Sequence, residues 1–228
     1  MTVPTPAGKS PNPLVGRGPQ VAELLLALAG AVKGTGQIVL IEGEAGIGKT
    51  VLLDAALRSA RSLGFGCFGG AAEELERHRP FGALSDALGL GRRARISAGP
   101  ESMAGQRATE RRSQLATLIR GDRDPLPAER AEAGSRGQGP GDPLSPGTSQ
   151  AEYAIVDGLI DYVEQLCAAS PLALAVDDLH WADPSTLVAI GRLAREIRGL
   201  PCVLMAALRP LPRTPRLEAL KTELASLP

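Results

Sequence analysis

What this 228-residue chain lacks narrows its function before any motif is read. No apolar run approaches the roughly 20 residues that span a bilayer. The opening "MTVPTPAGKSPNP" has no basic-then-apolar pattern of a secretory leader, so the expectation is a cytoplasmic protein with no membrane role. Cysteines are few: Cys67, Cys167 and Cys202 stand in separate apolar stretches with no C-x-x-C pair. They read as buried reduced thiols and argue against a structural zinc site. Net charge is absent too, with 25 basic and 25 acidic residues, and aromatics stop at one tryptophan, two tyrosines and three phenylalanines. A nucleic-acid surface needs a basic face, so direct DNA binding by this chain is not expected. The groups Arg92, Arg93, Arg95 and Arg107, Arg111, Arg112 are interleaved with polar residues and read as solvated faces or loops.

Glycine and proline, by contrast, are plentiful, and they punctuate the chain. Residues 1–13 are Pro-rich and expected to be disordered. Pro19 suits a first helical position, and Val21, Leu24, Leu25 and Leu28 follow at helical spacing. Ile38–Ile41 is a continuous apolar run between turn residues, as in a strand buried on both faces. Val51, Leu52, Ala55 and Ala56 form one side of the next helix, which Gly64 ends. Residues 65–71 predict a second strand, and Phe81, Leu84 and Leu88 one face of a short helix. The Gly/Pro-rich stretch 121–150 has no aromatic residue and is expected to be a disordered insertion.

Regular pattern returns at Ser149, which with Glu152 makes a capping box ahead of the stripe Tyr153, Val156, Leu159, Ile160, Val163, Leu166. Leu172–Val176 predicts the third strand and Cys202–Ala207 the fourth. Between them Asp183-Pro184 caps a helix whose inward side is Leu187, Ile190, Leu193 and Ile197. Leu217, Leu220 and Leu224 mark a last helix. Strands alternating with helices define an α/β domain over 14–228 with a mainly parallel sheet covered by helices, a three-layer sandwich.

One segment carries chemistry. Gly43-Glu44-Ala45-Gly46-Ile47-Gly48-Lys49-Thr50 fills every fixed position of G-x-x-x-x-G-K-[ST], and Val51 continues it into the helix. Glycines let consecutive backbone N–H groups curl around phosphate oxygens, and the following helix adds its positive terminus. Lys49 would reach the β- and γ-phosphates of ATP, and the Thr50 hydroxyl would ligate Mg²⁺. The apolar strand before Asp177-Asp178 ends where such proteins place the Mg²⁺ carboxylate, which assigns Asp177 to the metal and Asp178 to the attacking water. His180 reads either as a phosphate sensor or as a packed side chain. Arg209, straight after the fourth strand, reads as a γ-phosphate sensor or as an exposed strand-end arginine.

Together "LVGRGPQVAELLLAL", "LIEGEAGIGKT", "EELERHRPFGAL", "LALAVDDLHWADPSTL" and "VLMAALRP" resemble the N-terminal ATPase module of large ATP-binding LuxR-type transcriptional regulators. Those regulators belong to the STAND branch of AAA-like ATPases. The resemblance implies a switch, closed with ADP and open or oligomeric with ATP, that hydrolyses slowly. It places Val15, Gly16 and Arg17 near the adenine, although Gly18 stands where the family usually has Glu, and it makes Arg209 the first sensor. It also implies a fifth strand beside the phosphate-loop strand, then winged-helix, inducer-sensing and DNA-binding parts. None of these is in the sequence, so the expectation is an incomplete, poorly stable module whose open sheet edge is covered by self-association or a partner chain. The alternatives are a module that holds nucleotide without turnover, or a small-molecule kinase, for whose lid Arg92–Arg95 is a poor candidate.

Overall fold

A computed structural model describes residues 16–91, 106–120 and 150–227. In chain order the elements are α1 (Gly18–Val32), β1 (Gln37–Glu42), α2 (Lys49–Ser62), β2 (Gly66–Ala71), α3 (Gly82–Ala87), α4 (Gln106–Arg120), α5 (Gln150–Ala169), β3 (Leu172–Asp177), α6 (Pro184–Glu196), β4 (Cys202–Leu208) and α7 (Pro215–Ser226). The four strands form one all-parallel sheet in the order β1-β4-β3-β2. All four strand C-termini therefore lie at the same end, where α/β proteins hold their ligands.

Alternation along the strands divides the core. Val39, Ile41, Ala173, Ala175, Val203, Met205 and Ala207 face α1 and α2. Ile38, Leu40, Leu172, Leu174, Val176, Leu204 and Ala206 face the larger cluster built on α3, α5, α6 and α7. This confirms the α/β sandwich and the four strands read from the sequence. β3 and β4 are buried throughout, as expected of central parallel strands. β1 is only half-buried: both faces are covered, but among the described residues it pairs with β4 alone, which corrects the expectation of full burial.

Several other readings need correction. The buried side of α2 is Lys49, Leu52, Leu53, Ala56, Leu57 and Ala60, so the stripe is turned by about one residue, leaving Val51 45% exposed. In α1, Leu25 is exposed, and Ala27 and Ala31 take the inward places. Small residues suffice there because the helix lies close on the sheet and on α2. The helix α4 was not foreseen. Its Arg111 pairs with Asp161 of α5, and the Arg112 guanidinium donates to the Gly89 carbonyl at 3.1 and 3.2 Å. These two arginines fasten α4 to the body and are only partly exposed, which corrects the reading of them as solvated. Residues 1–15, the 121–149 stretch, Ser149 and Arg92, Arg93 and Arg95, for which the sequence raised expectations, fall outside the described residues, as does the side chain of Arg107. Among the described residues no helix is long and apolar enough to cross a membrane.

Candidate functional site

The site forms where β1 stops pairing. Gly43 still donates its N–H to the Leu208 carbonyl at 3.2 Å, and from there the chain leaves the sheet. Gly46 (φ +74°) and Gly48 (φ +90°) sit in the left-handed region, where a Cβ would be strained. Those two conformations curl Glu44–Ile47, all exposed, into an open loop of backbone, and Gly48 caps α2. The first turn of α2 brings free N–H groups and the positive end of its dipole to the loop.

Lys49 is 7% exposed, and its ammonium donates to the carbonyls of Gly43 and Glu44, both at 2.9 Å. The cation is thus held inside the curl of its own loop. The Thr50 hydroxyl donates to Asp177 Oδ2 at 2.5 Å, joining α2 to the end of β3 across 127 residues of sequence. Asp177 is buried, and its other oxygen accepts the N–H of Asp178 at 2.8 Å. That bond comes with a turn: Asp178 has φ +50°, unusual for a residue with a Cβ, and this redirects its carboxylate out of strand alternation.

Asp178 Oδ1 lies 3.8 Å from Arg209 Nε and 3.8 Å from His180 Nδ1. Arg209 stands at the end of β4, and its backbone N–H donates to His180 Nδ1 at 3.4 Å. Burial is the main influence holding the His180 pKa below its ordinary value; Asp178 opposes it, while Arg209 and Lys49 reinforce it. His180 is indeed packed, 4% exposed, with its ring 5.0 Å from that of Trp181. Gly16 is exposed with φ +78°, and the Arg17 guanidinium donates to the Ile47 carbonyl, tying the start of α1 to the phosphate loop. Val15 lies outside the described residues.

Thr50 and Asp177 supply hard oxygen atoms at one place. Among the described residues no cluster of three or more His, Cys, Asp or Glu exists that would hold a metal by itself. A donor set of one hydroxyl and one carboxylate fits Mg²⁺, which keeps waters and takes the rest of its shell from a nucleotide's phosphates.

Sequence reasoning identified Asp183 as a cap but missed its reach. Its carboxylate accepts from the Thr186 N–H and hydroxyl (2.9 and 2.5 Å) and also from the N–H groups of Phe81 (2.9 Å) and Gly82 (3.1 Å). Phe81, at φ +58°, is held in a left-handed turn by that contact. One buried carboxylate therefore ties the segment after β2 to the one after β3. The Arg17 contact and the His180 bond were likewise not legible, since both depend on which backbone groups the fold brings near.

A glycine-rich phosphate loop on a parallel sheet, with a threonine bonded to an aspartate at the end of β3, two strands away, defines the class as a P-loop NTPase fold. More narrowly, the chain belongs to the AAA ATPase domain family, whose model matches residues 13–205. It is thereby a nucleotide-binding domain. It is similar to an uncharacterized protein of Rhizobium meliloti (strain 1021), with 31% identity over 215 residues covering 89% of this chain and 19% of that protein. The chain thus spans about a fifth of the length of the relative it matches.

Proposed function

We propose that this domain binds MgATP and hydrolyses it slowly, as the switch module of a regulator of the STAND, LuxR-like type. The observation that carries the reading is the Thr50–Asp177 hydrogen bond at 2.5 Å, because it sets the two oxygen ligands together beside the phosphate loop. In this reading the N–H groups of Gly43–Val51 and the Lys49 ammonium hold the phosphates, with Lys49 exchanging its loop carbonyls for the β- and γ-phosphate oxygens. Thr50 and Asp177 hold Mg²⁺, which when bound screens phosphate charge. Asp178 orients the attacking water, helped by the left-handed turn that frees its carboxylate from the strand. Arg209 faces the γ-phosphate, and Val15, Gly16 and Arg17 flank the adenine side of the loop.

The regulatory assignment is supported by the contact between the two most distinctive segments, "EELERHRPFGAL" and "DDLHWADPSTL", through Asp183. The Asp177 carbonyl also accepts the Ala72 N–H at 2.9 Å, joining the end of β3 to the segment after β2. The side of β1 that pairs with no strand among the described residues is where a second copy or a partner chain would pair, and a cytoplasmic location is part of the same proposal.

Single-turnover hydrolysis of ATP by the wild type and Asp178→Asn tests this reading. The expected outcome is slow turnover in the wild type and a loss of about 10²-fold or more in the variant, with ATP still bound. Binding with no turnover in either protein would reduce the domain to a nucleotide-holding module. Absence of binding would remove the reading altogether.

A further inference from the structure

We infer that His180 is a positioning residue that locks the ends of β3 and β4 together and so sets Arg209 against Asp178. The inference rests on the MgATP reading above for its consequence, though not for its geometry. The β3–β4 ladder runs from Leu172↔Cys202 to Val176↔Ala206. Beyond that pair the two chains part, because Asp178 turns left-handed and the Leu179–Trp181 turn begins. The His180 ring supplies what the backbone no longer does: its Nδ1 accepts the Arg209 N–H at 3.4 Å, across 29 residues of sequence. A side chain thus takes the place of the next rung.

The ring is well placed to hold that bond. Its side chain is wholly buried, and the adjacent indole of Trp181 lies tilted at 43°. An Nδ1 that accepts the Arg209 N–H carries no proton, which leaves the proton on Nε2, and burial, by lowering the ring's basicity, favours that neutral form. Nε2 is itself buried and has no hydrogen-bond partner among the described residues. An unsatisfied buried donor is a cost that a space-filling leucine or phenylalanine would avoid. The imidazole's contribution therefore lies in its acceptor, and the acceptor's partner is the backbone of Arg209. The same nitrogen stands 3.8 Å from Asp178 Oδ1, which stands 3.8 Å from Arg209 Nε. The three groups form a triangle whose buried corner is His180.

Single-turnover hydrolysis and MgATP binding in His180→Ala, His180→Asn and His180→Gln test the consequence. His180→Ala is expected to slow hydrolysis about 10- to 100-fold while leaving MgATP affinity essentially unchanged. His180→Asn places an amide oxygen at the position of Nδ1 and should restore the rate. His180→Gln places it at the position of Nε2 and should not. Full activity in His180→Ala, or equal rescue by Gln and Asn, would overturn the inference. The geometry is tested separately on nucleotide-free wild type by ¹⁵N NMR. The expected spectrum shows an imidazole protonated at Nε2, with a nitrogen–nitrogen coupling through the hydrogen bond between the Arg209 amide and His180 Nδ1. A ring protonated at Nδ1, or no such coupling, would contradict it. If the wild type neither binds nor hydrolyses ATP, the functional reading fails, and the NMR result still decides the latch.

Discussion

At the scale of residues, two aspartates with opposite legibility carry much of the account. The place of Asp177 was readable because an apolar strand that ends in a carboxylate is a local pattern, and the fold sets that carboxylate 2.5 Å from the Thr50 hydroxyl. Asp183 was readable only in part. Its role as helix cap is local, whereas its bonds to Phe81 and Gly82 join residues about a hundred positions apart, which no spacing rule announces. Asp183→Ala removes the cap and strands the buried Phe81 N–H, while Gly82 keeps the Arg79 carbonyl at 3.0 Å, so a loss of about 2–4 kcal/mol is expected. Asp183→Asn keeps one acceptor oxygen and should lose less. Urea denaturation of the two variants checks this order; equal losses would mean that the retained oxygen contributes nothing.

At the scale of elements, capped or glycine-bounded segments were legible, and segments set by their neighbours were not. Helix α6 begins at Asp183-Pro184 and buries Leu187, Ile190 and Leu193, with Ile197 buried just past its end, as the spacing predicts. Helix α2 begins at a glycine loop that carries no side-chain cap, and apolar residues occupy more than one side of it. Its rotation was decided by packing on β3 and α1, and the stripe came out as Leu52, Leu53, Ala56 and Leu57. Helix α4 has a polar sequence whose order comes from Leu115 and from Arg111 and Arg112 gripping α5 and the Gly89 turn. The observed rotation of α2 makes a sharp expectation. Leu53→Ala, at a site 3% exposed, should cost about 2–5 kcal/mol. Val51→Ala, at a site 45% exposed, should stay within about 0.5 kcal/mol. Thermal melts of the nucleotide-free variants check it, and comparable losses at both sites would return the stripe to where the sequence placed it.

At the scale of the whole molecule, the parallel sheet brings four strand ends together, and the loops after β1, β3 and β4 meet there as the site. The family and the phosphate loop make nucleotide binding the central claim, and nucleotide that binds the folded state alone must raise its melting temperature. The most direct measurement is a pair of melting curves, with and without MgATP, for the wild type and for Lys49→Ala. At about a hundredfold excess over Kd the wild type should gain about 2.7 kcal/mol, a rise on the order of 5–10 °C. Lys49→Ala, which loses the ammonium now held by the Gly43 and Glu44 carbonyls, should melt at the same temperature with and without MgATP. A wild type indifferent to MgATP, or a Lys49→Ala variant stabilised as much as the wild type, would contradict the account.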